Sequence, residues 1–153
     1  MHGQATSTPT ARLLVVADWS VDPYAVVAEL RRRTAHEPAA FTLVVPAWLH
    51  GLDWAGDPTA SVPCAERQLE MLVELTRRAG LDVEVGGVGD PDVISAIGDA
   101  LHGRDAAEIL LFERRRRFGR NPLDLAHRAQ RATGRAVRRF TAPRLASAHC
   151  EAT

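Results

Sequence analysis

The stretch Leu13-Leu14-Val15-Val16-Ala17 decides the fold class of this 153-residue chain. It is a continuous apolar run of strand length, and a strand that is apolar at every position is buried on both of its faces. Such strands occur almost only in parallel sheets that helices cover on both sides. Asp22 and Pro23 follow as the cap and the first residue of a helix that we predict to run to about Ala35.

The alternation of strand and helix continues along the chain. Further buried strands are predicted at Phe41–Ala47 and Ile109–Phe112, a more alternating strand at Leu81–Val88, and a weak fifth strand at Ala136–Phe140. Helical spacing of apolar residues predicts a helix in each of the four intervals between these strands. The pattern predicts one α/β domain with a parallel sheet, right-handed crossovers and helices on both faces.

The ends of the chain and its two cysteines indicate the bounds of the domain and the cellular compartment. We expect the domain to cover residues 11–143, with flexible tails at 1–10 and 144–153. No window is long and apolar enough to span a membrane, and the first ten residues lack the pattern of a signal peptide, which predicts a cytoplasmic location. Cys64 and Cys150 have no metal-binding spacing, so we expect free thiols in a reducing compartment.

Five arginines crowd the turn between the predicted fourth strand and the helix that follows it. The ligand contacts predicted at this turn are Arg114, Arg115, Arg116, Arg117, Arg120 and Asn121. Such turns are where α/β folds hold ligands, and a helix N-terminus with nearby guanidinium groups attracts anions. The sequence therefore predicts a site for a phosphate-bearing ligand; the alternative is a solvated basic loop.

Several classes of chemistry have no support in the sequence. All 19 cationic residues are arginine, so neither a P-loop lysine nor a Schiff-base lysine is present. No GxGxxG follows the first strand, and the chain contains neither HExxH nor GxSxG. We therefore predict no catalytic residue and no metal site.

An acid and three tryptophans follow the carboxyl ends of the first two predicted strands. Asp18 could bind a ribose hydroxyl or form an ion pair with Arg114–Arg117. A flat ligand could stack on Trp19, Trp48 or Trp54, although Trp48 and Trp54 can equally anchor the loop in which they lie. Of these residues, Asp18, Trp19 and Trp48 complete the predicted ligand site.

Three of these features together resemble the universal stress protein family. They are the apolar strand ending in Asp18, the strand Phe41–Ala47 with a variable insertion after it, and Gly89-Asp90-Pro91 opening the third helix. The resemblance covers roughly Arg12 to Pro143. It implies a Rossmann-like five-stranded parallel sheet in the order 3-2-1-4-5, with a ligand crevice between the first and fourth strands, and a homodimer. Asp18 matches the position that contacts the nucleoside in ATP-binding members.

The chain departs from that family at the phosphate loop. ATP-binding members have GxxG followed nine residues later by Gly and Ser or Thr, whereas Glu113–Asn121 contains only Gly119. Glycines let the backbone approach phosphates closely, and arginines replace the charge of that loop without its geometry. The sequence therefore argues against standard ATP binding.

Three functions remain open. The first is a universal-stress-protein-like module that senses a ligand or binds a partner, without catalysis. The second is a protein or enzyme acting on a nucleotide phosphate through the arginine cluster, with Glu113, Asp18 or His127 as the acid or base. The third is nucleic-acid binding, because arginines outnumber acids from residue 108 onward.

Overall fold

The computed structural model describes residues 10–49, 56–114 and 123–145. Five strands alternate with four helices. The strands are β1 (Ala11–Ala17), β2 (Ala39–Pro46), β3 (Asp82–Gly89), β4 (Glu108–Arg114) and β5 (Ala136–Ala142). The helices are α1 (Pro23–His36), α2 (Val62–Arg78), α3 (Val93–Leu101) and α4 (Leu123–Thr133).

All strand pairs in the sheet are parallel, and the strands lie in the order β3-β2-β1-β4-β5. This confirms the predicted fold class and strand order. β1 is central, which explains its apolar run, because its odd and even positions face different layers of helices. The order reverses direction at β1, so β1 and β4 flank the topological switch point of the sheet.

The core is divided between the two faces of the sheet. On one face, Leu13 and Val15 of β1 pack with residues of α1 and α2, including Leu30 and Leu72. On the other face, Leu14 and Val16 pack with residues of α3 and α4, including Ile97. The predicted helices therefore cover both faces of the sheet.

Local signals set the helix starts. The Asp22 carboxylate accepts a bond of 2.9 Å from the Tyr24 amide, and Pro23 occupies the first turn, as the sequence predicted. α3 begins later than expected, because Asp92 is its cap, while Asp90 makes a turn of its own by accepting a bond from the Asp92 amide.

The glycines of β3 form a bulge. The register with β2 shifts between Leu43 and Val44, and Gly86 is the additional residue on β3. A Cβ at Gly86 would lie 2.6 Å from Val44 Cγ2, and Gly87 has a φ of 111°. β3 is at the edge of the sheet, where an alternating pattern of apolar and polar residues is expected.

Candidate functional site at the switch point

Asp18 lies directly after β1 and is almost completely buried, with 3% of its surface exposed. Its amide donates to the Phe112 carbonyl of β4 at 3.0 Å, which ties the end of β1 to its neighbour. Its Oδ1 accepts two bonds of 2.8 Å, from the Ser20 amide and the Ser20 hydroxyl. The carboxylate is therefore fixed by its own turn, in the manner of an Asx turn.

Gln68 supports the same turn from α2. Its Nε2 donates to the Val21 carbonyl at 2.7 Å and lies 3.4 Å from the Asp18 carbonyl. Gln68 is buried and occupies the apolar face of α2, four residues before Leu72. The sequence patterns did not single out Gln68; the available signal was an amide side chain on the buried, mainly apolar face of α2.

Trp19 and Trp48 are joined by a hydrogen bond, because the Trp19 Nε1 donates to the Trp48 carbonyl at 2.7 Å. Their rings, however, pack against different cores: Trp19 on the α1 and α2 side of the sheet, and Trp48 on the α3 and α4 side. The two rings therefore pack on opposite faces of the sheet, and a shared stacking surface for a ligand stays a prediction. Trp54 lies outside the described residues.

Glu113, near the end of β4, is buried and forms an ion pair with Arg139 of β5. Only 11% of the Glu113 side chain and 23% of the Arg139 side chain are exposed. The pair links the last two strands of the sheet at the switch point.

Arg114 is the one member of the predicted arginine cluster that the structure describes, and it is half-buried at the end of β4. Among the described residues, no carboxylate lies within ion-pair distance of its guanidinium. Of the predicted ion pairs between Asp18 and Arg114–Arg117, the one with Arg114 is not formed, and those with Arg115, Arg116 and Arg117 fall outside the described residues. Arg115, Arg116, Arg117, Arg120 and Asn121 lie outside the described residues, so their part in the site stays a prediction.

The chain after β5 returns to the switch point. The Asp22 amide donates to the Pro143 carbonyl at 2.8 Å, and the Leu145 amide donates to the Ser20 carbonyl at 2.9 Å. Between them Val21 and Arg144 form an isolated antiparallel bridge. The structured chain thus continues to Leu145. The predicted flexible tails otherwise fall on 1–9 and 146–153, outside the described residues.

Cys64 corrects the expectation of free thiols, because it is disulfide-bonded. It lies in the first turn of α2 and is buried. The chain has one other cysteine, Cys150, which is outside the described residues. The expectation was wrong because spacing along the sequence does not show which residues the fold brings together.

Two surface clefts lie away from the switch point. The first, at the amino ends of the strands, is lined by Arg12, Glu84 and Arg104, and Glu84 forms ion pairs with both arginines. The second lies between α2 and the edge strand β3 and includes Val73 and Val85. Within the described parts of the chain, no cluster of three or more His, Cys, Asp or Glu is placed to bind a metal ion.

The described helices include none that is long and apolar enough to cross a membrane.

Comparison with known proteins identifies a fold but no sequence family. The structure is similar to that of a universal stress protein from Archaeoglobus fulgidus, with a TM-score of 0.57. Sequence identity is 16%, and the match covers 84% of this chain and 92% of that protein. No family model and no curated protein matches the chain. The chain therefore has a universal-stress-protein-like fold.

Proposed function

We propose that this protein is a universal-stress-protein-like module that binds a phosphate-bearing ligand at the switch point and acts by sensing it, without catalysis. The observation that carries the proposal is Arg114, a half-buried cation with no carboxylate partner among the described residues. It stands where open α/β sheets hold their ligands. The predicted neighbours Arg115, Arg116, Arg117, Arg120 and Asn121 would add charge and a helix N-terminus to the same place.

The contacts of the nearby acids favour binding over catalysis. A general acid or base must exchange a proton with the substrate, which requires an accessible group. Glu113 is buried against Arg139, and the Oδ1 of Asp18 already accepts two bonds from Ser20. Both acids thus have structural partners, and for these two candidates the contacts support the non-catalytic function; the third candidate, His127, is exposed on α4.

The test compares phosphate-dependent thermal unfolding of the parent with that of an Arg114→Ala/Arg116→Ala/Arg120→Ala variant at fixed ionic strength. Phosphate at 100 times its dissociation constant stabilises a protein by about 2.7 kcal/mol. For a chain of this size that corresponds to roughly 5–10 °C in Tm. We expect this increase in the parent and its loss in the variant.

The control variant removes three exposed arginines elsewhere, as Arg31→Ala/Arg67→Ala/Arg77→Ala. It changes the net charge by the same amount as the cluster variant but leaves the predicted site intact. It should therefore keep the phosphate response of the parent. If the cluster variant and the parent responded equally to phosphate, the arginine run would be a solvated basic loop and the proposed site would be wrong.

A second experiment distinguishes between ATP, other phosphates and nucleic acid as the ligand. We expect ATP to bind no more tightly than tripolyphosphate, because the glycine loop of ATP-binding relatives is missing. Calorimetry showing micromolar, adenine-selective binding would contradict this expectation. A steep loss of affinity for DNA or RNA with added salt, with binding absent for small phosphates, would favour the nucleic-acid alternative.

We also propose that the protein forms a homodimer, as the resemblance implies. In the described chain, Phe140 of β5 stacks on Phe112 with ring centroids 4.9 Å apart, so it contributes to the monomer's own core. Arg138 at the same edge is 59% exposed and lies 3.4 Å from Glu108. Charged edges resist strand pairing, which favours a helix face for the dimer contact. Light scattering that gave a monomer mass at high concentration would refute the dimer.

A cytoplasmic location stays a prediction. One of its supports was the expectation of free thiols, and the disulfide at Cys64 removes that support. Fractionation of cells that express the full-length chain would test the location directly.

A further inference from the structure

A groove between α2 and the edge strand β3 leaves apolar surface open to solvent. Leu69 and Val73 of α2 and Val85 of β3 line it, and we term it the α2–β3 groove. Val85 is 42% exposed and is one of three large hydrophobic side chains that are exposed in the described chain. β3 is the last strand of the sheet, so no neighbouring strand of the described chain closes the groove on that side. A partner that covered the groove would therefore bury apolar surface.

Charged residues of α2 form the rim of the groove. They carry two charges of each sign, namely Glu70, Glu74, Arg77 and Arg78. Glu74 and Arg78 already form an ion pair with each other at 2.7 Å. Within the described parts of the chain, neither Glu70 nor Arg77 has an ion-pair partner. Glu70 and Arg77 are therefore the rim charges that remain available to a partner.

Glu70 and Arg77 lie on the same face of α2. They are seven residues apart, which is about two helical turns, and Val73 lies between them on that face. The order along the helix is thus an acid, an apolar residue and a base. A partner of one charge sign compensates only one of the two charges, whereas a segment with the same order running in the opposite direction compensates both. The α2 helix of a second copy is such a segment.

We infer that the α2–β3 groove is a homodimer contact, in which α2 of one copy packs antiparallel to α2 of the other. The inference rests on the homodimer proposed above and names its contact face. A two-fold axis beside Val73 places Glu70 of each copy opposite Arg77 of the other, so the dimer contains this ion pair twice. The same arrangement places Val85 of both copies beneath the two helices, away from water.

The bulge of β3 explains why helices rather than strands make this contact. An edge strand offers unpaired backbone groups to another chain, and a bulge disrupts the ladder that would form there. Gly86 is the additional residue of β3, and Gly87 has a φ of 111°, so the middle of the strand departs from regular pairing geometry. The contact is therefore carried by the side chains of α2 and by Val85.

The test measures the monomer–dimer equilibrium of the full-length chain by sedimentation velocity at low salt. Glu70→Arg places two bases opposite each other across the axis, and Arg77→Glu places two acids opposite each other. Each contact occurs twice, and like charges are about as unfavourable as opposite charges are favourable. Each single variant should therefore raise the dissociation constant of the dimer about tenfold or more.

Mixing the two single variants distinguishes a lost contact from a damaged helix. At these two positions a copy with Glu70→Arg carries two bases and a copy with Arg77→Glu carries two acids. The mixture should therefore form a heterodimer with an affinity near that of the parent. The double variant Glu70→Arg/Arg77→Glu restores opposite charges and should dimerise as well. Arg31→Glu, a change of equal charge at an exposed position of α1, should leave the equilibrium of the parent unchanged.

Three results would overturn the inference. If the parent is a monomer at high concentration, the proposed homodimer fails together with its contact face. If the parent dimerises but the single reversals do not weaken the dimer, the homodimer stands on another face and the groove is left to a different partner. If mixing does not restore association, the reversals act through damage to α2 and not through the ion pair.

The phosphate test is independent of this contact. The proposed ligand site lies between β1 and β4, and β2 separates it from the groove beside β3. Variants of α2 should therefore keep the phosphate-dependent increase in Tm, whether they are monomers or dimers. Ligand binding and the dimer contact thus fail or succeed separately.

Discussion

Replacing Glu113 with glutamine tests whether the acid at the end of β4 is structural. The substitution removes the charge that compensates Arg139, and leaves that guanidinium at the switch point. Breaking a buried ion pair by removing one partner costs about 3–5 kcal/mol. Because 23% of the Arg139 side chain remains exposed, water can partly compensate, and we expect a loss of about 2–3 kcal/mol. At an m-value of about 1–3 kcal/mol/M, the urea midpoint should fall by roughly 0.7–3 M.

The control is Glu74→Gln, which breaks an ion pair with Arg78 on the surface of α2. Those side chains are 56% and 73% exposed, and the pair is an i,i+4 helical pair. Its loss should cost no more than about 0.5 kcal/mol. If Glu113→Gln shifted the urea midpoint no more than Glu74→Gln, the ion pair of Glu113 with Arg139 would contribute no more to stability than an exposed surface pair. Glu113 would then be available for proton transfer, and the argument against catalysis would fail.

Two further predictions concern the bulge of β3 and one surface acid. Gly86→Ala should destabilise by about 1–3 kcal/mol, since its Cβ would lie 2.6 Å from Val44 Cγ2. Gly98→Ala, with open space around it in α3, should stabilise by about 0.5–1 kcal/mol; equal effects in urea unfolding would contradict the bulge. The Thr59 amide, and next its hydroxyl, lower the pKa of Asp57. The contribution of the Asp57 carboxylate to stability is therefore present above pH 3.8. It is lost as the pH falls through the pKa of Asp57 in the folded protein, which is lower than 3.8. An NMR titration giving 3.8 or higher would refute this.

The elements that the sequence predicted well are those set by local chemistry. The β1 run is apolar at every position because both faces are covered, and Asp22 and Pro23 form a cap that needs only neighbouring residues. The position of Asp18 at the carboxyl end of β1 followed from where that apolar run ends. The strand order came with the resemblance, since periodicity alone does not decide which strands are neighbours.

The features that the sequence did not predict depend on the register of distant segments. Glu113 and Arg139 meet because β4 and β5 align in a particular register, which no local pattern encodes. The partner of Gln68 is a backbone carbonyl, and backbone groups leave no sequence signal. The disulfide at Cys64 likewise depends on which segment the fold carries to α2.

The net charge of the switch point depends on which of its charged side chains already form ion pairs or hydrogen bonds. Glu113 is compensated by Arg139, and the carboxylate of Asp18 is held by Ser20. Among the described residues Arg114 has no such carboxylate, and in the proposed function a bound anion would compensate its charge. Residues 143–145 reach the same end of the sheet directly from β5, where Arg114 is aligned with Ala142. The end of β5 and the proposed ligand site therefore lie at one place in the fold.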